Sequence, residues 1–416
     1  MVGENGIYLL SMKETKFKHT EIGLIPEDWE ILSLGDIGDV RMCKRILKHQ
    51  TSSVGDIPFY KIGTFGKEPD AFISRELFEE YRRLYNYPKQ GDVLLSAAGT
   101  IGRTVLFDGK DAYFQDSNIV WIENNERKLL NGLLYYIYNK INWVADTGTI
   151  PRIYNDIVRK IFISFPPTKA EQSRIATALY DIDTLIRNLD RTIEKKKNIR
   201  QGAMEQLLSG KKRLPGFKGE WKPVRLNEIF FFGKGKGLKK EELTENGKYK
   251  CILYGEIFTQ YNCTIKSVVS KTDKYEGTLS KRGDILMPGS TTTTGIDLIK
   301  AVSLNEDNVL LGGDVIILRP KDKRFLCSDF MAYLMSVINR KNIADVTQGT
   351  TIIHLHTSNM TDILYTIPPT IKEQYAISDM LIAMDDEIAV LQMERDKYAN
   401  IRSGMMDDLL SGAKRI

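Results

Sequence analysis

Pro166-Pro-Thr-Lys-Ala-Glu-Gln172 and Pro368-Pro-Thr-Ile-Lys-Glu-Gln374 are two copies of one signal, at an offset of 202 residues. The likeness runs without a gap to Leu207-Leu-Ser-Gly210 and Leu409-Leu-Ser-Gly412, with 20 identities in the 45 positions of 166–210 against 368–412. A match of that density marks an internal duplication, and the duplication governs the reading of the fold. Further upstream, Asp28-Trp29-Glu30 recurs as Glu220-Trp221-Lys222, and Gly91-Asp92-Val93-Leu94 as Gly283-Asp284-Ile285-Leu286, both at an offset of 192. The Gly-Thr at 148–149 recurs at 349–350. The chain is one unit used twice: a divergent region, then a well-matched segment.

The matched segments read as long helices built to pair. Thr168 with Glu171, and Thr370 with Glu373, have the spacing of a capping box. The prolines just before them prevent the helix from extending backwards. Gly210 and Gly412 mark the stops, because glycine takes the left-handed conformation there at little cost. Between cap and stop, Ile175, Leu179, Ile182, Ile186, Leu189 and Ile193 form one apolar series. In the second copy Ile377, Leu381, Met384, Ile388 and Leu391 form the other. Alternating steps of four and three are the spacing of a coiled-coil seam; the plainer alternative is a helix lying on the core of its own domain. The predicted helix over 171–208 has 38 residues, about 57 Å at ~1.5 Å per residue. Antiparallel pairing relates two similar halves by a pseudo-twofold axis and would hold the divergent regions apart at the ends of a rod. Duplex DNA is a ligand that suits such a reader.

Residues 20–165 and 214–367 read as mostly β modules. Ile57–Ile62, Asp92–Ser96, Ile119–Ile122, Asp284–Met287 and Asp314–Leu318 are short apolar runs bounded by Gly and Asp, with helices expected at Leu129–Ile141 and Ser328–Ile338. The predicted class is α+β: two tandem, mostly β recognition modules separated by two long helices pairing as an antiparallel coiled coil. The expected boundaries are 1–165 and 214–367 for the modules, and 166–213 and 368–416 for the helices.

Equivalent loops carry the candidate binding residues. Ser96-Ala-Ala-Gly-Thr-Ile-Gly-Arg103 corresponds to Pro288-Gly-Ser-Thr-Thr-Thr-Thr-Gly295. Small and hydroxylic side chains with an arginine suit phosphate oxygens and base edges, which singles out Ser96, Thr100 and Arg103, and Ser290, Thr291, Thr292 and Thr293. A second pair of loops places Arg152 and Tyr154 opposite His354 and His356. Alternating polar residues on a strand share one face, where they could read a groove. The paired histidines could instead bind a metal, but no nearby spacing of Cys, Asp or Glu supports that. Lys44, Arg45 and Lys61 add basic candidates. So do Lys234 and Lys236 in Gly233-Lys-Gly-Lys-Gly-Leu-Lys-Lys240, which lacks the spacing of a phosphate-binding loop and reads as a DNA-touching loop or a flexible turn.

Composition narrows the field. With 42% apolar and 27% charged residues the chain reads as a globular protein, not a disordered one. No apolar run approaches the ~18 residues of a membrane span. Met1–Leu10 has no basic n-region, so a cytoplasmic location is expected. Cys43, Cys251, Cys263 and Cys327 form no CxxC pair, which argues against a zinc site and a disulfide scaffold. The net charge of +5 says little, but residues 187–213 hold nine Lys/Arg against three acidic residues. That excess suits backbone steering as well as a solvated helix face.

With these residues in place, the chain resembles the specificity subunit of type I restriction–modification systems. The Pro-Pro-Thr segments leading into heptad helices, both Leu-Leu-Ser-Gly ends and the entry Thr20-Glu-Ile-Gly-Leu-Ile-Pro-Glu-Asp-Trp-Glu30 carry the resemblance. It implies target recognition domains that each read one half of a bipartite double-stranded DNA site. It also implies helices that set the unread gap and dock methyltransferase subunits, two of them, with restriction subunits as a further partner. No catalysis or cofactor is expected in this chain; S-adenosylmethionine would belong to the methyltransferase partner and ATP to the restriction partner. The sequence agrees in having no Asn-Pro-Pro-Tyr or Asp-Pro-Pro-Tyr motif and no glycine-rich turn for S-adenosylmethionine. The competing reading is a coiled-coil scaffold joining protein partners without sequence-specific DNA binding.

Overall fold

The computed structural model describes residues 15–143, 152–292, 294, 298–338, 347–349 and 353–416. It contains two 40-residue helices, Lys169–Leu208 and Ile371–Leu410. Both end as expected, with Gly210 and Gly412 in the left-handed region at φ of 69° and 71°. The chain divides into two compact units: residues up to 188 with 395–416, and residues 189–394. Each unit therefore holds one recognition module, the first half of the helix that follows it, and the last half of the other long helix.

The module of the first unit is closed by strand Glu30–Ser33, which pairs antiparallel with Phe162–Phe165 just before the long helix. Its central sheet has the order Val40–Arg41, Ile119–Ile122, Val93–Ser96, Thr104–Leu106, all antiparallel. A smaller sheet sets Ile57–Tyr60 antiparallel to Phe72–Ile73 and parallel to Tyr113–Phe114. The second unit repeats this plan. Lys222–Arg225 pairs with Leu364–Ile367. The central sheet runs Phe230–Lys234, Val315–Pro320, Asp284–Pro288, Val302–Leu304, Thr264–Ile265. Tyr249–Ile252 again has a parallel partner, Leu310–Leu311. The second central sheet and both smaller sheets are mixed, and the central strands are buried on both faces, so they read as continuous apolar runs rather than alternating ones.

The recognition modules do not fold independently of the long helices. Ile175 and Leu179 lie in the same apolar core as Val120, Leu134 and Ile163, together with Met406, Leu409 and Leu410 from the end of the other helix. In the second unit Ile377 and Leu381 share a core with Phe330 and Leu318, completed by Met204, Leu207 and Leu208. Thus the outer turns of each helix cover a module, as the plainer reading of the stripe has it. Ile182 and Ile193, and Ile388 on the other helix, are buried farther along; Ile186, Leu189, Met384 and Leu391 are half-buried.

Glutamine anchors each module to its helix in the same way. Gln172 Oε1 accepts from the Leu130 N–H (2.9 Å), while its amide donates to the carbonyls of Lys128 and Pro166 (both 2.8 Å). Gln374 Oε1 accepts from the Cys327 N–H (2.9 Å), and its amide donates to the carbonyls of Phe325 and Pro368. The N-terminus of the module helix, Asn131–Lys140 or Ser328–Val337, is tied by this contact to the start of the long helix. The capping box is only half made. The Glu171 N–H reaches Thr168 Oγ1 at 3.4 Å, but the Glu171 carboxylate binds the Arg415 guanidinium instead of turning back to the cap. Glu373 likewise binds Arg213. A guanidinium fork matches both carboxylate oxygens and outcompetes a single backbone N–H for them.

Glycines in the long helices separate packing from propensity. Gly202 and Gly404 have open space where a Cβ would sit, whereas a Cβ on Gly412 would come within 2.3 Å of Pro26 Cγ. Gly202→Ala and Gly404→Ala are expected to raise the melting temperature, each by the equivalent of about 1 kcal/mol. Gly412→Ala is expected to lower it by more than ~1 kcal/mol, since strain and clash act together. Thermal unfolding of the three variants checks this ordering.

Candidate nucleic-acid interface

The two loops carrying most of the candidate residues in each module meet. In the first unit Ala98 bridges Arg152 in antiparallel fashion, and the Ile153 N–H donates to the Ala97 carbonyl at 2.8 Å. In the second, Ser290–Thr291 pairs with Ile353–His354, and the Leu355 N–H donates to the Gly289 carbonyl at 2.9 Å. Applying the repeat offsets superposes these contacts residue for residue. The alternation expected on the second loop also holds. Ile153 and Leu355 point inward at 2% and 3% exposure, while Tyr154 and His356 are exposed and Arg152 and His354 are half-buried. The rings of His354 and His356 stack at 6.2 Å with an interplanar angle of 23°, so the two share one face.

A third segment, ahead of the strand beginning at Ile119 or Val315, closes the cluster. Arg152 Nη2 donates to the Ser117 carbonyl (3.0 Å) and Asn118 Oδ1 (3.3 Å), and the highly exposed Arg45 lies 4.0 Å from Asp116. In the second unit Lys234 Nζ is 3.1 Å from Asp314 Oδ1, and Ser290 Oγ donates to Asp314 Oδ2 at 3.2 Å. Burial would push Asp314 up, but Lys234, then Ser290 and the nearby His354, outweigh it and hold this carboxyl below its ordinary value. Asp314 and Ser117 both take positive φ (58° and 51°), a sharp reversal that turns these polar groups toward the loop pair. This acidic and amide hub is absent from the residues singled out by sequence. The signal that could have found it is position, directly before a central strand in both copies.

The other candidates are placed as follows. Ser96 is buried, donating to the Thr100 carbonyl (2.5 Å) and accepting from the Arg103 N–H (2.9 Å), so it shapes the loop that exposes Thr100. Arg103 Nη1 donates to the Phe65 carbonyl at 2.8 Å, and Lys61 on the adjoining turn pairs with Asp70 at 2.8 Å. Lys44 lies over the Tyr85 ring, with Nζ 5.0 Å from its centroid. Thr291 is half-buried and Thr292 exposed; Thr293 lies outside the described residues, as do Gly148-Thr149 and Thr350.

Several glycines in these loops serve the protein's own packing. A Cβ on Gly102 would meet Trp143 Cδ1 at 2.4 Å, and one on Gly235 would meet the Gly312 carbonyl oxygen at 1.9 Å. The stretch after Gly233 is held against a neighbouring segment of its module. Its backbone lies against 311–315, with the Gly235 N–H donating to the Val315 carbonyl (2.8 Å) and the Lys236 N–H to the Leu311 carbonyl (3.2 Å). Lys234 and Lys236 project outward from that rigid strip, both exposed.

Such an arrangement offers donors, aromatic faces and cations on a fixed frame, which suits binding rather than bond-making. Among the described residues no cluster of three or more His, Cys, Asp or Glu could hold a metal ion. No described helix is long and apolar enough to cross a membrane.

A duplicated chain of mixed-sheet modules joined by two long paired helices is the architecture of DNA-specificity subunits. The family described as "Type I restriction modification DNA specificity domain" matches residues 26–198 and 218–397, and the chain belongs to it. It is thus the specificity component of a type I restriction–modification complex, a non-catalytic subunit that binds DNA through its modules. Over 97% of both chains it is 24% identical to the type I restriction enzyme MjaVIII specificity subunit of Methanocaldococcus jannaschii. A type I specificity subunit of Haemophilus influenzae is 56% identical over 182 residues, a match spanning 44% of this chain and 47% of that one. The crystal structure of the S subunit of a type I system from M. genitalium shares the fold, with a TM-score of 0.64 at 18% identity over 92% of this chain and 96% of that one.

The close backbone approach yields a check on the basic strip. Gly235→Ala is expected to displace Lys234 and Lys236 and to destabilise the second module, seen as faster amide exchange at 230–240 and 310–316 with the first module unchanged.

Proposed function

We propose that each module reads one half of a split DNA site and that the helix pair sets the unread gap between the halves. The observation that carries this reading is the repeated convergence of three loops: Ala98 with Arg152 and Asn118 in one module, Ser290 with His354 and Asp314 in the other. The same frame presents different side chains. Arg152 and Tyr154 on one module, and His354 and His356 on the other, would recognise different sequences with one geometry. Arginine suits guanine's bidentate edge, and an aromatic or imidazole face suits stacking and thymine methyl contact. Exposed lysines around each loop set would neutralise phosphate and fix the approach.

The helices support docking of methyltransferase subunits, with restriction subunits assembling on that core. Val390 and Met393, 62% and 73% exposed and one turn apart on the same helix, and Tyr180 and Leu185, exposed on the other helix in the first unit, are apolar side chains available to such a partner. The boundaries supporting this division are modules at 1–165 and 214–367 and spacer helices at 166–213 and 368–416.

The deciding measurement is methylation by the complex reconstituted with its methyltransferase partner. A single bipartite target is expected. Arg152→Ala with Tyr154→Ala should relax only one half, by about 1–3 kcal/mol per lost base contact, and His354→Ala with His356→Ala only the other. Loss of both halves from either pair would contradict the reading. Seven residues inserted into both long helices, equivalent positions chosen, should lengthen the unread gap by about three base pairs (~10.5 Å of helix at ~3.4 Å per base pair) with unchanged half-sites.

A further inference from the structure

Each unit contains a polar node where its two long helices and its module helix meet. In the first, Asp183 binds the Arg402 guanidinium of the other long helix and accepts a 3.0 Å hydrogen bond from Tyr136 of the module helix. In the second, Asp385 binds Arg200, whose Nη2 is 3.2 Å from Oδ2, and accepts a 2.5 Å hydrogen bond from Tyr333. The repeat offset of 202 carries Asp183 onto Asp385 and Arg200 onto Arg402, and these are identities between the two halves. The aspartate side chains are only 12% and 11% exposed. Burial first, then the carboxylate they face, push both tyrosines up, so each stays protonated and donates.

Aliphatic spacing by itself selects a register weakly, because residues seven apart, such as Ile175 and Ile182 or Ile377 and Met384, are alike. The helix ends packed into the module cores and the Glu171–Arg415 and Glu373–Arg213 pairs add to the alignment. The nodes do discriminate. Seven residues from Arg200 lie Ile193 and Leu207, so a slip in either direction leaves Asp385 facing an aliphatic side chain. Seven residues from Arg402 lie Leu409 and Arg395, so Asp183 opposes one of the two slips and the Asp385 node opposes both. A desolvated carboxylate without its cation is strongly disfavoured, whereas the pair itself adds little over an apolar match; such groups select a register more than they stabilise it. Gln172 and Gln374 anchor each module to the start of its own helix. On the spacer reading given above, a change of helix register would change the gap between the half-sites.

We propose that the Asp183–Arg402–Tyr136 and Asp385–Arg200–Tyr333 nodes are register locks that hold the two helices in one alignment. Their effect on DNA rests on the spacer reading given above: one heptad of slip moves the helices by about 10.5 Å, about three base pairs at ~3.4 Å each.

The test uses the full chain with Asp183, Arg200, Asp385 and Arg402 all changed to leucine. Register is read without DNA by thiol cross-linking; the native cysteines are all buried and do not compete. Lys196 and Glu387 face each other at 2.6 Å, so Lys196→Cys with Glu387→Cys reports the native alignment. Lys196→Cys with Met380→Cys or Glu394→Cys reports a slip of seven. Cross-linking confined to the native pair is expected with the nodes intact; in the leucine variant a slipped pair is expected to cross-link, and the reconstituted complex to methylate sites whose gap differs by about three base pairs. Cross-linking only at the native pair in the leucine variant overturns the proposal. Slipped cross-links with an unchanged gap leave the lock standing and overturn the spacer reading instead. If the leucine variant does not fold, Asp183→Asn with Asp385→Asn, which keeps shape and an acceptor for tyrosine, is scored by the same cross-links, and absence of a slipped product there overturns the lock.

Discussion

A half-buried aspartate that must keep its arginine is the constraint around which each unit is built. The arginine comes from the end of one long helix, the aspartate from the beginning of the other, and the tyrosine from the recognition module. One contact thus ties three segments far apart in sequence. Near the helix ends a second charged pair repeats the logic: Glu171 with Arg415, and Glu373 with Arg213, the glutamates almost fully buried. Arg415 also reaches Asp28 at 2.9 Å, and that hydrogen bond lowers the Asp28 carboxyl below its ordinary value.

Around these polar points the apolar core does most of the stabilising. Each module is capped by the first turns of the helix that follows it and by the last turns of the other, so neither helix belongs to one module alone. A coiled coil built only of aliphatic heptads would be stable and poorly aligned. Identical nodes in the two units restrict it to one alignment. That requirement accounts for charged residues surviving in a seam where leucine would pack as well.

The binding face follows the opposite strategy. There the backbone pairing is common to both modules while the side chains differ, Arg and Tyr in one and a stacked histidine pair in the other. Rigid loops held by Ser96, Gly102 and Gly235 allow side chains to change without altering how they are presented. A frame used twice with different contacts is what reading two unlike half-sites requires.

Much of this was legible in the chain. The duplication, the helix stops at Gly210 and Gly412, the central strands and the shared face of His354 and His356 follow from spacing and local chemistry, because periodicity and turn preference are properties of nearby residues. Sequence also carried a signal that went unread: Asp183, Arg200, Arg213 and Glu171 are all identical in the other half. What only the tertiary structure decided is where side chains with two options went. Glu171 left its cap for Arg415, Ser96 turned inward, and the glycines near 235 served a neighbouring strand rather than a ligand. For Glu171 and Gly235 the competing partner lies tens or hundreds of residues away, and only folding brings it close enough to win; Ser96 turns to Thr100 and Arg103 of its own loop, whose shape the surrounding module fixes.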